Sequence, residues 1–165
     1  FRFLTSVVSS LYLPRTCCCF QTVHPITVAI GIKLLSFFEQ GFNVFIVGET
    51  TTPSIGKGDM LLLVSGSGNT ATLVNFAMKA NEVGANLALV TTNPISKIGE
   101  LADCIVNIPA ATKKRSPEEP KTIQPLGSQF DQSAHLLLDA LIVYNMKINK
   151  DKDNNQLKSR HANLE

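Results

Sequence analysis

The segment LLLVSGSGNTATLV, Leu61 to Val74, limits what this chain can fold into more than any other. Its apolar run shows no polar alternation and is too short for a helix, so it reads as a strand buried on both faces. A strand with no solvent side belongs in a sheet covered by helices on both faces. The run then stops at Ser65, Gly66, Ser67, Gly68, Asn69 and Thr70, more small and polar residues than the two centres of a tight turn require. Apolar residues resume at Leu73, Val74, Ala77, Met78 and Ala80. Their spacing of three and four predicts an amphipathic helix from Thr70 to Val83, closed by Gly84.

The same alternation of elements extends along the chain. FNVFIVGE, NLALVTT and DCIVNIPA read as further strands, and PISKIGELA reads as a short helix after Pro94. Residues 111–121 form a polar loop. The longest helical pattern follows it, with Phe130, Ala134, Leu137, Leu138, Leu141, Ile142 and Tyr144 on one face. Ser128 is expected to cap that helix, with Asp131 in place of the usual Glu of a capping box. Strands and helices alternating at these lengths predict an α/β fold, a three-layer sandwich with a central parallel sheet and helices on both faces. Before residue 41 the pattern weakens to Ile30, Leu34, Leu35 and Phe38 on one helical face, so this part is atypical.

Composition excludes several function classes. A net charge of +2 over 165 residues does not suit a nucleic-acid partner, and Lys113, Lys114 and Arg115 beside two glutamates read as a solvated loop. No apolar stretch reaches the roughly 18 to 20 residues of a membrane span. The chain is therefore read as cytoplasmic, with no membrane partner. Cys17, Cys18 and Cys19 are adjacent and ill placed to surround one metal, and Cys104 stands among apolar residues as core. No metal and no cofactor are expected.

In a parallel α/β sheet, ligands bind where strand ends turn into helices. Ser65 to Thr70 sit at such a turn, where successive N–H groups at a helix start make a concave set of donors for an anion. The hydroxyls of Ser65, Ser67 and Thr70 add donors that suit the terminal oxygens of a phosphate monoester. The loop has neither the lysine of a triphosphate-binding loop nor the glycine spacing of a dinucleotide site, so a small phosphorylated metabolite is the expected ligand. The alternative is a plain connection in which Ser67 or Asn69 caps the helix.

SGSGNT after an apolar strand resembles the phosphosugar loop of the sugar isomerase (SIS) domain. With GFNVFIVGETTTP, TTNPISKIGELAD, KTIQPLGSQFDQSAHLLLDALIV and the terminal RHANLE, the chain from Gly41 to Glu165 resembles the 6-phospho-3-hexuloisomerase family of SIS domains. The resemblance implies a SIS domain at 41–165, with 1–40 a divergent N-terminal segment of the same domain. It implies a homotetramer and metal-free interconversion of D-arabino-hex-3-ulose 6-phosphate and fructose 6-phosphate through an enediol, in the ribulose monophosphate pathway of formaldehyde assimilation. It carries a base over to Asp131, proton transfer or ring opening to His161, whose ring titrates near pH 6.5, and positioning of a substrate hydroxyl to Glu49. Capping is the competing role for both carboxylates, and a mobile terminal residue is the competing role for His161. The family's first glycine-rich loop would fall at Val23 to Thr27, where this sequence has VHPIT, and Pro25 has no N–H to donate. That departure leaves two alternatives to an active isomerase: a non-catalytic phosphosugar-binding domain, or a defective enzyme.

Overall fold

The structure, a computed structural model, describes residues 17–22, 36–148 and 154–161. Five strands, β1 (Cys17–Thr22), β2 (Asn43–Ile46), β3 (Met60–Val64), β4 (Asn86–Thr91) and β5 (Cys104–Asn107), form one sheet in the order β2-β1-β3-β4-β5. Every neighbouring pair is parallel, with Leu62 of β3 between Phe20 of β1 and Ala88 of β4. Among the described residues, the helices with both ends defined are α1 (Ala71–Glu82), α2 (Ser128–Ile148) and α3 (Asn154–Arg160), and residues 36–39 are helical as well. None of the described helices is long and apolar enough to cross a membrane.

The missing alternation in β3 has a direct cause. Leu61 and Leu63 point to one face of the sheet, where they pack with Leu73, Ala77 and Ala80 of α1. Met60, Leu62 and Val64 point to the other, against Phe130, Ala134 and Leu138 of α2. Both faces are covered, so no position on the strand has a reason to be polar. Leu63 is fully buried, and burial of such a side chain contributes about 1.5–3 kcal/mol.

The ends of α1 follow from its sequence. Beyond Val83, Gly84 takes φ +75°, and the Ala85 N–H returns to the Ala80 carbonyl at 2.9 Å. This is the bond that closes a helix through a left-handed residue. Its buried stripe is narrower than the sequence pattern suggests. Leu73, Ala77 and Ala80 are buried, whereas Met78, one step around the helix from Ala77, is half-exposed.

Four other expectations are corrected. Residues 94–101 form successive turns rather than a helix, because the N–H groups of Lys97 and Ile98 are donated to the Asn69 side chain and the Gly68 carbonyl instead of starting a helix. Ser128 is the first helical residue of α2, not its cap, and the Gly127 carbonyl accepts the Asp131 N–H at 3.0 Å. Helical residues 36–39 bury Phe37, while Phe38 is exposed; Ile30, Leu34 and Leu35 lie outside the described residues. Cys104 is only half-buried at the edge of the core, where burial, and next the Asp103 charge, push its thiol up. The three adjacent cysteines also acquire a role that their spacing did not suggest: they form β1, between β2 and β3.

Candidate functional site

All five strands run the same way, so the loops that follow them gather at one edge of the sheet. The order β2-β1-β3-β4-β5 changes direction between β1 and β3, and a crevice opens outside the strand ends at such a switch point. The Ser65–Thr70 loop leaves β3 there. The chain after β1, including His24 and the rest of VHPIT, lies outside the described residues.

The loop is held from behind. Ser65 extends the sheet by donating its N–H to the Val90 carbonyl at 2.9 Å. The Gly66 carbonyl accepts from the hydroxyls of Thr91 and Thr92 at 3.0 and 2.9 Å and from the Thr92 N–H at 3.1 Å. The Gly68 carbonyl accepts the Ile98 N–H at 3.1 Å. Acceptors of the loop are thus consumed by the neighbouring chain, which suits a wall that must present donors to an anion.

Gly68 has φ +64°, and a Cβ there would stand 2.1 Å from Ser96 Oγ. Only glycine fits without displacing Ser96. Gly66 faces the other way, where a Cβ would meet the Thr112 methyl at 3.1 Å and the Phe130 ring at 3.5 Å.

Neither Ser67 nor Asn69 caps α1. Thr70 occupies the cap position with extended backbone, and no side chain caps the first turn, which also lacks an acidic residue. Asn69 Oδ1 instead accepts the Lys97 N–H at 3.0 Å, and Ser67 Oγ accepts the Asn69 N–H at 3.3 Å. An uncapped first turn leaves N–H donors and the positive end of the helix dipole facing the pocket.

The pocket encloses about 280 Å³. On one side it is lined by Val64, Ser65, Gly66, Ser67 and Thr70. The rest of the lining comes from Thr112, Lys113 and Lys114 of the loop after β5, and from Leu126, Ser128, Phe130 and Asp131 at the approach to α2. Burial pushes the Asp131 carboxyl above its usual range, since the charged form loses hydration there. A carboxylate so raised is a stronger base than an exposed aspartate.

Two expected site residues are not brought to this pocket within the described chain. Glu49 is exposed in a turn after β2, its N–H bonded to the Ile46 carbonyl at 3.2 Å, with β1 standing between β2 and β3. His161 is exposed just beyond α3, and its Nδ1 contacts the carboxylate of Glu39. Thr112, Lys113 and Lys114 also line the pocket; both lysines are exposed in a loop, as expected, but their place beside this pocket was not foreseen. One signal could have found them: in an all-parallel sheet, any loop that follows a strand arrives at the ligand edge.

Comparison with known proteins bears on the whole arrangement. The SIS domain family model matches residues 34–128. The 3-hexulose-6-phosphate isomerase of Bacillus subtilis is 41% identical over 139 residues, covering 82% of this chain and 75% of that protein. The 3-hexulose-6-phosphate isomerase of Mycobacterium gastri is 40% identical over 135 residues, covering 82% of this chain and 65% of its own length. A crystal structure from Methanococcus jannaschii, described as inferring the molecular function of 3-hexulose-6-phosphate isomerase, superimposes with a TM-score of 0.86 at 27% identity, covering 99% of this chain and 86% of that one.

Proposed function

Since the chain belongs to the SIS domain family, we propose that it is a phosphosugar isomerase that interconverts D-arabino-hex-3-ulose 6-phosphate and fructose 6-phosphate. The observation that carries this reading is the pocket itself, where an uncapped, donor-rich helix start faces a carboxylate of raised basicity. Relatives named for this activity support the choice of substrate.

The reaction moves a carbonyl from C3 to C2 without net oxidation. A base removes the C2 proton to give an enediol, an acid delivers a proton to C3, and a proton passes between the two oxygens. Ser65, Ser67 and Thr70, with the first N–H groups of α1, bind the phosphate and fix the position of the carbon chain. Asp131 is the base. Glu49 positions a hydroxyl from the end of β2, and His161, in the C-terminal tail, opens the ring or moves protons in the site of a neighbouring copy in a tetramer. The setting is the cytoplasmic ribulose monophosphate route of formaldehyde assimilation.

A coupled assay that oxidises fructose 6-phosphate as it forms from the hexulose phosphate tests the reading, with turnover well above the uncatalysed rate expected. Phosphosugar binding without turnover would leave the second reading, a binding domain or defective enzyme, which the replacement of the family's first glycine-rich loop by VHPIT favours.

A further inference from the structure

We propose that Lys113 and Lys114 form the cationic wall of the phosphate subsite. This rests on the phosphosugar reading and adds a specificity element to it. The Ser65–Thr70 loop offers only neutral donors, whereas a phosphate monoester carries a charge of about −1.5 to −2 at neutral pH. Hydrogen bonds from neutral groups orient those oxygens but do not cancel the charge. Lys113 and Lys114 line the same pocket, and their ammonium groups supply the opposite charge.

The segment that carries them is tied down. Ala111 N–H is donated to Gln129 Oε1 at 2.9 Å. Thr112 donates its N–H and its hydroxyl to the two carboxylate oxygens of Glu119, at 2.7 and 2.6 Å, and Thr112 Oγ1 in turn accepts the Lys114 N–H at 3.3 Å. Arg115, at φ 53°, donates to the Gln124 carbonyl and staples the far side of the loop. The Glu119 carboxylate is thereby spent on Thr112, beneath the lysines. Among the described residues, neither Lys113 nor Lys114 belongs to an ion pair.

Both side chains are exposed, so their removal tests charge rather than folding. Titration calorimetry of the full chain would compare fructose 6-phosphate with fructose, at low and high salt. Lys113→Gln combined with Lys114→Gln should weaken fructose 6-phosphate binding about tenfold or more and flatten its salt dependence. It should also raise KM for the hexulose phosphate while kcat stays within about threefold. Replacement of both by arginine should keep affinity within about threefold of the unsubstituted chain. The single glutamine variants carry the same comparison if the double variant melts early. Affinity of the double glutamine variant within about twofold of the unsubstituted chain overturns the proposal and leaves the phosphosugar reading standing. An unsubstituted chain that binds fructose 6-phosphate no better than fructose overturns both.

Discussion

The two walls of the pocket are built on opposite principles. The Ser65–Thr70 wall is one unbroken strand-to-helix junction, seated on the sheet by backbone bonds to Val90, Thr92 and Ile98. The facing wall is assembled from a loop after β5 and the start of α2, held by side chains such as Glu119 and Gln129. The first presents backbone donors, which a change of side chain other than to proline leaves in place, together with the hydroxyls of Ser65, Ser67 and Thr70. The second presents charges that a single substitution deletes. Damage to the backbone of the first wall is therefore expected to register in stability and binding together, and loss of a polar side chain from either wall in binding, chemistry or charge with folding intact.

The sharpest separation is expected at Asp131. Asp131→Asn should lower kcat by about 10²–10⁴, the range for loss of a general base, with melting temperature not reduced at neutral pH. The sign follows from the raised carboxyl. The native state holds the proton more readily than the unfolded chain, so stability falls as pH rises from the ordinary aspartate range, about 3.9, through the raised native value. The helix dipole at the start of α2 opposes this by about 0.3–1 kcal/mol, but the upward direction says that burial wins. The Asp131→Asn variant should thus match or exceed the melting temperature of the wild type at pH 7, with the difference closing in acid. A variant that melts below the wild type at pH 7 breaks the comparison.

Next in size is Gly68→Ala, which should cost about 2–4 kcal/mol and lower the melting temperature by about 5–15 °C. The added Cβ collides with the buried Ser96 while the backbone is held at φ +64°. Phosphosugar affinity should fall with it, because the same shift misaligns the donors. Preserved binding alongside a large loss of stability would show that the cradle does not depend on this turn.

Ser67→Ala should weaken fructose 6-phosphate binding by about 1–3 kcal/mol through the loss of one hydroxyl. Unsubstituted affinity in a titration would return Ser67 to its local bond with the Asn69 N–H. A small stability effect is expected at His161, whose own side chain is half-exposed although that of Glu39 is 13% exposed: His161→Ala should change stability by about 1 kcal/mol. Its turnover should fall only at protein concentrations where copies associate. Activity equal to wild type at all concentrations would remove the tail from the mechanism.

The sequence made β3, the Ser65–Thr70 loop and α1 legible because each is specified by neighbours in the chain. A run apolar at every position requires cover on both faces, consecutive small residues after it leave backbone donors unobstructed, and spacing of three and four closes the element. Asp131 was legible through its motif, as part of a resemblance. Position in space decided the rest. Residues 94–101 have the pattern of a helix, but tertiary bonds to Gly68 and Asn69 take the N–H groups a helix would need. Residues 17–22 carry no strong strand signal, yet they fill the place between β2 and β3. Lys113 and Lys114 read as solvated charges and are exposed, but only the parallel sheet, which brings the end of β5 to the edge where β3 ends, places them beside the pocket. A cradle made of consecutive backbone donors is written in consecutive residues, whereas a charge facing it comes from a distant part of the chain that only the packing of the sheet and α2 brings near.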